Sequence, residues 1–338
     1  MWRAICKPES KKAKAKIKNA LTFVPNRQRI FILPSRQERI NRKTDHFFLI
    51  LRQGYSNGKS EICNRIMNDM RKLIYLNFML LLAICMQACD MFEAHPYDAY
   101  VRGEKNLNQR FIQQIEVNLK DKKTFRFAFI SDTQRWYDET EDMVNDINKR
   151  NNVDFVVHGG DLSDFGATHE FELQRDIMLG FKMPWVTLLG NHDCLGTGEN
   201  VYEAIWGKPN FYFQAGNVLF ICLNTNCMEY DYSEPVPDFS FLETLMKNLP
   251  EGVEKTVVAM HVPPFDLEFN NNVANVFQLY LKEFPNLLFC MHGHAHHYTV
   301  NEPFKDGIFY IQTPCAKYRE YVLFTINEDG YEHELIEY

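Results

Sequence analysis

The sequence predicts an α/β domain over residues 105–338, built from short apolar strands that alternate with helices. The strand-like runs, such as FRFAFI at Phe125–Ile130, are mostly apolar. Such runs are typical of parallel strands covered on both faces, so we expect a largely parallel sheet with helices on both sides. The composition agrees, because 46% hydrophobic and 24% charged residues are ordinary globular values that exclude a disordered or fibrous chain.

The predicted strands and helices follow one another at short spacing. Strands are expected at Phe125–Ile130, Val153–His158, Pro184–Gly190, Phe211–Gln214, Val218–Asn224, Thr256–Val262, Leu287–Gly293, Ile308–Gln312 and Tyr321–Asn327. Helices are expected at Asp138–Arg150, Thr168–Leu179, Phe239–Leu249 and Asn275–Phe284. The Ala215-Gly216-Asn217 segment between the fourth and fifth strands has turn composition, which predicts a β-hairpin there.

Charge is divided unevenly along the chain. Residues 1–72 contain 18 Lys and Arg against 5 Asp and Glu, a net charge of +13, and the remaining 266 residues contain 19 against 39, a net charge of −20. One compact domain rarely divides its charge in this way. The acidic part would repel nucleic-acid phosphates, so we expect it to bind no nucleic acid.

The charge changes sign at the most apolar stretch of the chain, residues 73–88, which follows Arg71 and Lys72. A membrane span needs about twenty apolar residues, so this stretch is short for a span and fits the apolar core of a signal peptide. Together with Ala88 and Cys89 it resembles a bacterial lipoprotein signal. The resemblance implies export and a lipid on Cys89, with the membrane as a partner. The alternative is a buried core helix.

Met70 would be a normal start for such a signal, and this leaves two interpretations of residues 1–69. They come from an over-extended reading frame, or they are a genuine basic extension whose charge would suit nucleic acid. In the second case the apolar stretch is an anchor with its basic side in the cytoplasm. Both interpretations place the acidic domain outside the cytoplasm. We therefore divide the chain into a basic extension (1–69), a signal (70–89), a polar spacer (90–104) and the domain (105–338).

Polar residues with metal-ligand chemistry follow five of the predicted strands. In chain order they are Asp132 and Gln134, Asp161 and Asp164, Asn191 and His192, His261, and His294 and His296. Taken singly, each group also has the composition of a turn or of a hydrogen-bonded core histidine. Because ligands of open α/β sheets gather at the carboxyl ends of strands, we expect the five loops to converge.

In this order the five groups resemble the motifs of the calcineurin-like metallophosphoesterase family: Asp-x-His, Gly-Asp-x-x-Asp, Gly-Asn-His-Asp/Glu, a single His and Gly-His-x-His. The resemblance covers residues 125–300, and four of the five motifs are complete. It implies a four-layer α/β-β/α sandwich of the metallophosphoesterase type, and a hydrolase that acts on phosphoric ester bonds. It also implies two divalent metal ions at one edge of the sandwich.

The resemblance assigns the site residues by position. The first metal would be bound by Asp132, Gln134 and His296, the second by Asn191, His261 and His294, and Asp161 would bridge them. A hydroxide between the metals would attack phosphorus in line. His192 would be the general acid that protonates the leaving oxygen, with Asp164 orienting it. The expected substrate is a small phosphorylated molecule.

The departure from the family pattern is Gln134, which stands where the family has His. An amide oxygen is a harder ligand than imidazole, which favours manganese over zinc at the first site. Iron and zinc are the alternatives for the two metal ions. A Gln here is similar to a branch that includes manganese-dependent ADP-ribose/CDP-alcohol pyrophosphatases. That favours phosphodiesters and pyrophosphates as substrates, with phosphomonoesters as the alternative within the class.

Arg135 and Trp136 come directly after Gln134, at the expected rim of the site. Arg135 would contact a phosphate, and Trp136 would stack on a base or sugar. The alternative is that both residues pack their own loop. An alternative for the whole protein is a non-catalytic or weakly active surface protein that binds a ligand through its metals.

Overall fold

The computed structural model describes residues 61–83, 95, 97–230 and 233–338. The chain divides into two compact units, Met1–Met91 and Phe92–Tyr338. In the first unit, residues 61–83 form helix α1, and its large apolar side chains are between 47% and 70% exposed. Among the described residues, no helix is both long enough and apolar enough to cross a membrane. Cys89 lies outside the described residues, so its lipidation stays a prediction.

The second unit contains the predicted alternation of strands and helices. Its strands are β1 Phe125–Ile130, β2 Phe155–His158, β3 Trp185–Thr187, β4 Phe211–Ala215, β5 Val218–Leu223, β6 Lys255–Met260, β7 Leu287–His292, β8 Thr299–Asn301, β9 Phe309–Gln312, β10 Glu320–Ile326 and β11 Tyr331–Glu337. Its helices are α2 Leu107–Leu119, α3 Tyr137–Lys149, α4 Thr168–Met178, α5 Gly198–Ile205, α6 Phe239–Lys247 and α7 Ala274–Lys282. Four of these elements, α2, α5, β8 and β11, were not predicted from the sequence.

The strands form two sheets. The first has the order β11-β10-β1-β2-β3, in which β1, β2 and β3 are parallel and β10 is antiparallel to β1. The second has the order β4-β5-β6-β7-β9-β8, in which β5, β6, β7 and β9 are parallel. The predicted hairpin is the antiparallel pair β4 and β5.

The two sheets pack face to face through a core rich in phenylalanine. Phe127 of β1 stacks on Phe155 of β2 at 5.0 Å between ring centroids and meets Phe220 of β5 edge-on at 5.2 Å. Helices α3, α4 and α5 cover the outer face of the first sheet, and α6 and α7 cover that of the second. This confirms the four-layer sandwich. The expectation of one sheet with helices on both sides is corrected, because each sheet has its second face covered by the other sheet.

Helix α2 joins the two layers at their open edge. Leu107 and Phe111 belong to the core outside the first sheet, and Ile115 and Leu119 to the core between the sheets. The Asn108 side chain bonds both the backbone N–H and the carbonyl of Thr187, at 3.0 and 2.9 Å, which pairs polar groups of the edge strand β3.

The segment expected to be a polar spacer makes contacts with the domain where the structure describes it. Val101 is buried in the outer core of the first sheet. The Thr197 hydroxyl donates to the Tyr97 carbonyl at 2.7 Å, and the Thr168 hydroxyl donates to the Asp98 carbonyl. These bonds attach residues 97–101 to the starts of helices α4 and α5.

Candidate metal centre

Three glycines let the loops at the strand ends approach one another closely. A Cβ on Gly160 would lie 2.8 Å from both the Gly190 nitrogen and His261 Nδ1, and Gly160 itself has φ +101°. A Cβ on Gly190 would lie 2.2 Å from Asp161 Oδ1. A Cβ on Gly293 would lie 2.1 Å from the Ser131 hydroxyl. Space therefore requires glycine at all three positions, and at Gly160 the backbone conformation favours it as well.

Four of the predicted ligands stand on strained backbone. Asp132, Asp161, His294 and His296 have φ values of 54°, 61°, 76° and 68°, in the left-handed region. Such residues cost about 1–3 kcal/mol each and persist where the surrounding structure holds them. Hydrogen bonds between the loops hold the two aspartates, because the Asp132 N–H donates to the Gly160 carbonyl at 3.0 Å and the Gln134 N–H donates to the Asp161 carbonyl at 3.1 Å. The two histidines are held by the bond from the His294 N–H to Asp132 Oδ2 and by the bond from the Cys315 N–H to the His296 carbonyl, both at 3.1 Å.

The centre of the site consists of Asp132, Asp161 and His261. One ligand atom from each of these buried residues lies within 4.8 Å of the other two. They follow β1, β2 and β6, which belong to different sheets, so the site lies where the carboxyl ends of both sheets meet. Two carboxylates and an imidazole at this spacing are a donor set for a divalent cation.

The other predicted ligands form two groups on either side of Asp161. Its Oδ2 accepts a hydrogen bond from the Gln134 amide at 3.0 Å, and its Oδ1 lies 3.3 Å from His261 Nε2. On the Gln134 side, Asp132 Oδ1 lies 3.2 Å from His296 Nε2. The position of Asp161 between the groups is the one that a bridging carboxylate requires.

The group on the His261 side converges on the side-chain oxygen of Asn191. That Oδ1 lies 3.0 Å from His261 Nε2 and 3.2 Å from His294 Nδ1. The structure thus brings all seven predicted ligands together, divided as the family resemblance implies.

A further observation supports the binding of divalent cations by these residues. Gln134 Oε1 is buried without a hydrogen-bond donor. A buried oxygen without a partner costs about 1–3 kcal/mol, and a cation would remove that cost. Carboxylate, amide and imidazole donors together suit manganese, iron or zinc.

The buried charges of the centre act on one another. Although burial opposes its protonation, the carboxylates of Asp161 and Asp132 raise the pKa of His261 to about 10. The hydrogen bond to Asp132 likewise raises the pKa of His296. Because a metal ligand must be a neutral imidazole, binding of a cation here would release protons.

Asp193 is a fully buried carboxylate that ties two of the loops together. Its Oδ2 accepts from the N–H groups of Asp161 and Gly190, both at 2.9 Å, and its Oδ1 accepts from those of Leu162 and Ser163 at 2.9 and 2.8 Å. Burial and the neighbouring Asp161 raise its pKa to about 7. Asp193 is the last residue of the Gly-Asn-His-Asp motif, but no role was predicted for it from the sequence.

His192 lies at the rim of the site, with its side chain 36% exposed. Its Nδ1 is 2.9 Å from the Asp164 backbone carbonyl and 3.9 Å from the Asp164 carboxylate. Asp164 therefore orients His192 through its carbonyl, because its carboxylate is paired with Arg135. The two residues predicted to meet substrate have partners in the protein: Arg135 has Asp164, and the half-buried Trp136 packs against the outer core with Lys317 Nζ 5.5 Å from its ring centroid.

Two histidines near the motifs are buried supports. Burial lowers the pKa of His158 to about 3 and that of His292 to about 4, so both are neutral. His158 Nδ1 accepts from the Gly160 N–H at 3.1 Å, and its Nε2 lies 2.9 Å from the Thr133 hydroxyl. Asp266, whose carboxylate lies 3.4 Å from His294 Nε2, was also not predicted from the sequence. The loop that contains Asp266 follows β6, but the residues of this loop do not indicate which side chain Asp266 contacts.

The chain is similar to several known proteins. A 3′,5′-cyclic-nucleotide phosphodiesterase of Nostoc sp. is 25% identical over 193 residues, which are 53% of this chain and 70% of the relative. A solved dimetal phosphatase from Danio rerio superposes with a TM-score of 0.51 at 13% identity, over 63% of this chain and 99% of its own. A purple acid phosphatase from yellow lupin (Lupinus luteus) gives 0.48 at 12% identity, over 63% of this chain and 51% of its own.

The family model described as calcineurin-like phosphoesterase matches residues 125–298, just over half of the chain. This range contains the strands from β1 to β7 and every ligand of the candidate centre. The family uses two divalent metal ions, and the donor set described above fits them. The chain belongs to the calcineurin-like phosphoesterase family and is a metal-dependent hydrolase of phosphoric esters.

Proposed function

We propose that this protein hydrolyses phosphodiesters, with manganese as its metal and His192 as the proton donor to the leaving oxygen. The observation that carries the proposal is the position of Asp161, whose two oxygens face the two groups of ligands. The choice of phosphodiesters as the substrate class rests on the similarity to the cyclic-nucleotide phosphodiesterase of Nostoc sp., because the match covers 70% of that protein. The choice of manganese as the metal rests on Gln134, because its amide oxygen is a harder ligand than imidazole.

When bound, two divalent cations supply Lewis acidity toward the phosphoryl oxygens and a nucleophile at neutral pH. The residues of the chain then have separate tasks. Asp132 and Asp161 would hold the cations on the floor of the site, where both carboxylates are buried. The Asp161 carboxylate also accepts the His192 backbone N–H at 3.0 Å, which links the metal floor to the rim.

The hydrogen bonding of His192 suits a general acid. A carbonyl can only accept, so the bond to the Asp164 carbonyl keeps a proton on Nδ1. Protonation of the ring then adds its proton at Nε2, from where it can pass to a leaving oxygen. Although burial opposes this, the carboxylates of Asp161 and Asp164 raise the pKa of His192 and so favour its charged form.

The first test is hydrolysis by the whole chain with Mn²⁺, compared with EDTA-treated protein. The substrates are bis(p-nitrophenyl) phosphate, a 3′,5′-cyclic nucleotide, p-nitrophenyl phosphate and ADP-ribose. We expect metal-dependent turnover with higher kcat/KM for the two diesters. Preference for ADP-ribose or for the monoester would reject the diester class, and turnover insensitive to EDTA would reject the metal mechanism.

The role of His192 is tested by comparing substrates with different leaving groups. In His192→Ala, kcat for the cyclic nucleotide, which has an alkoxide leaving group, should fall by about 10²–10⁴-fold. The fall for bis(p-nitrophenyl) phosphate should be much smaller, because nitrophenolate leaves without a proton. Equal losses on both substrates would mean that His192 does not act as the acid.

We also propose that the protein is exported and anchored by a lipid on Cys89. The proposal is supported by the apolar residues 73–88 behind Arg71 and Lys72, and by the exposure of the large apolar side chains of helix α1. The test is the intact mass of the protein purified from its own membranes, beside a Cys89→Ser variant. A mass that includes residues 1–69, or Cys89 without a lipid, would refute the lipoprotein signal.

A further inference from the structure

We propose that Asp266 is a positioning residue that selects the tautomer of His294 and so sets the affinity of the second metal ion. The inference rests on the metal centre of the proposed function and adds a residue outside its five motifs. Asp266 lies in the loop between β6 and α7, five residues after the ligand His261.

The two ring nitrogens of His294 face different partners. Nδ1 lies 3.2 Å from Asn191 Oδ1, in the group of ligand atoms that includes His261 Nε2. Nε2 lies 3.4 Å from the Asp266 carboxylate, away from that group. Nδ1 is therefore the nitrogen placed to bind a cation, and Nε2 is the one that must carry the hydrogen.

A carboxylate beside Nε2 enforces that distribution. An ionised carboxylate only accepts hydrogen bonds, so it stabilises the tautomer with hydrogen on Nε2 and a free lone pair on Nδ1. A partner of this kind fixes the ring and raises the basicity of the nitrogen that binds metal. His261 is held in a similar way by a carbonyl, because its Nδ1 lies 2.8 Å from the Gly159 oxygen.

The loop is built to hold the Asp266 carboxylate in place. Asp266 Oδ1 accepts the Glu268 N–H at 2.9 Å, and the Asp266 carbonyl accepts the Asn271 amide at 2.6 Å. The Asn271 oxygen accepts the Phe265 N–H at 2.8 Å, which holds Phe265 at the unfavourable φ of 72°. The Asp266 side chain is 27% exposed, so water does not fully screen the charge of its carboxylate.

The test measures metal binding and the tautomer, and neither depends on turnover. Mn²⁺ binding to the whole chain is followed by calorimetry in the wild type and in Asp266→Ala, Asp266→Asn and Leu267→Ala. Loss of a partner of this kind weakens metal binding by about 10–100-fold. In Asp266→Ala we expect that loss for one of two ions, with the other changed by less than about threefold.

The two further variants separate positioning from loop structure. Asp266→Asn keeps an oxygen that accepts from Glu268 and His294 and loses only the charge, so its loss should be smaller than that of Asp266→Ala. Leu267→Ala changes the neighbouring side chain, which is 92% exposed, and should bind both ions as the wild type does. Equal weakening by Leu267→Ala and Asp266→Ala would overturn the proposal in favour of a loop effect.

The tautomer is read directly in the wild type, which removes any dependence on the folding of a variant. In protein labelled with ¹⁵N-histidine and loaded with diamagnetic Zn²⁺, His294 should carry its hydrogen on Nε2 and be bound through Nδ1. A hydrogen on Nδ1, or wild-type affinity for both ions in Asp266→Ala, would overturn the proposal. Failure of the wild type to bind two ions would instead refute the metal centre itself.

Discussion

The Asp193 carboxylate permits a quantitative prediction for the substitution Asp193→Asn, which preserves shape and removes charge. Each carboxylate oxygen accepts two backbone N–H groups, and Oδ1 also accepts the Ser163 hydroxyl at 3.0 Å. An Asn side chain has one oxygen, so in either orientation its NH₂ group faces two buried N–H donors. The Ser163 hydroxyl can rotate to accept, whereas the backbone donors cannot.

The magnitude follows from the two hydrogen bonds that are lost. The two hydrogen bonds to the charged group together contribute about 3–6 kcal/mol. Removal of the buried charge, whose cost raises the pKa of Asp193, offsets part of this loss, so we expect the free energy of unfolding to fall by about 1–3 kcal/mol. The comparison belongs at pH 8, because the pKa of Asp193 is about 7 and the carboxylate is then ionised. EDTA in both samples removes any contribution from bound metal.

Urea unfolding followed by circular dichroism measures this difference, with the slope m compared between the variants. Asp142→Asn is the matched control. Its carboxylate is 54% exposed and pairs with Arg319, and exposed pairs contribute about 0–1 kcal/mol. A loss below about 1 kcal/mol in Asp193→Asn with unchanged m would refute the hydrogen-bond account of this residue.

Three further predictions concern the same region. In Gly293→Ala the added Cβ would lie 2.7 Å from Asp132 Oδ2, so the affinity of the first site for Mn²⁺, measured by calorimetry, should fall at least about tenfold. An unchanged affinity would mean that the loop moves to accept the Cβ without displacing Asp132. Burial lowers the pKa of His158 from 6.5 to about 3, so the unfolded chain binds the extra proton, and the free energy of unfolding should fall as pH drops below 6.5. In His158→Gln the slope in urea titrations should be smaller than in the wild type by about 1.4 kcal/mol per pH unit, while His292 keeps its own contribution, and an unchanged slope would contradict the assignment. Mn²⁺ at about 100 times its Kd should stabilise the folded protein by about 2.7 kcal/mol, and a melting temperature unchanged by EDTA would argue against a preformed centre.

Much of the site could be predicted because its residues are local signals at strand ends. The Gly-Asp, Gly-Asn-His-Asp and Gly-His-x-His segments each combine a glycine that allows close approach with side chains that bind cations. The structure brings all seven predicted ligands together. The contacts of Asp164 were less predictable, because both its backbone carbonyl and its carboxylate could accept from His192 or from Arg135. The loop geometry places His192 at the carbonyl and Arg135 at the carboxylate.

Most of the strands and helices, in their order, and the residue types at the carboxyl ends of the strands could be predicted from the sequence alone; α2, α5, β8 and β11 could not. Tertiary structure decided how the strands divide into sheets. A continuously apolar strand such as β5 is buried on both faces whether helices or a second sheet cover it, so the pattern cannot distinguish the two arrangements. Tertiary structure also decided the partners of Asp193 and Asp266, because the role of a carboxylate depends on the atoms that face it, and those atoms come from loops distant in the sequence.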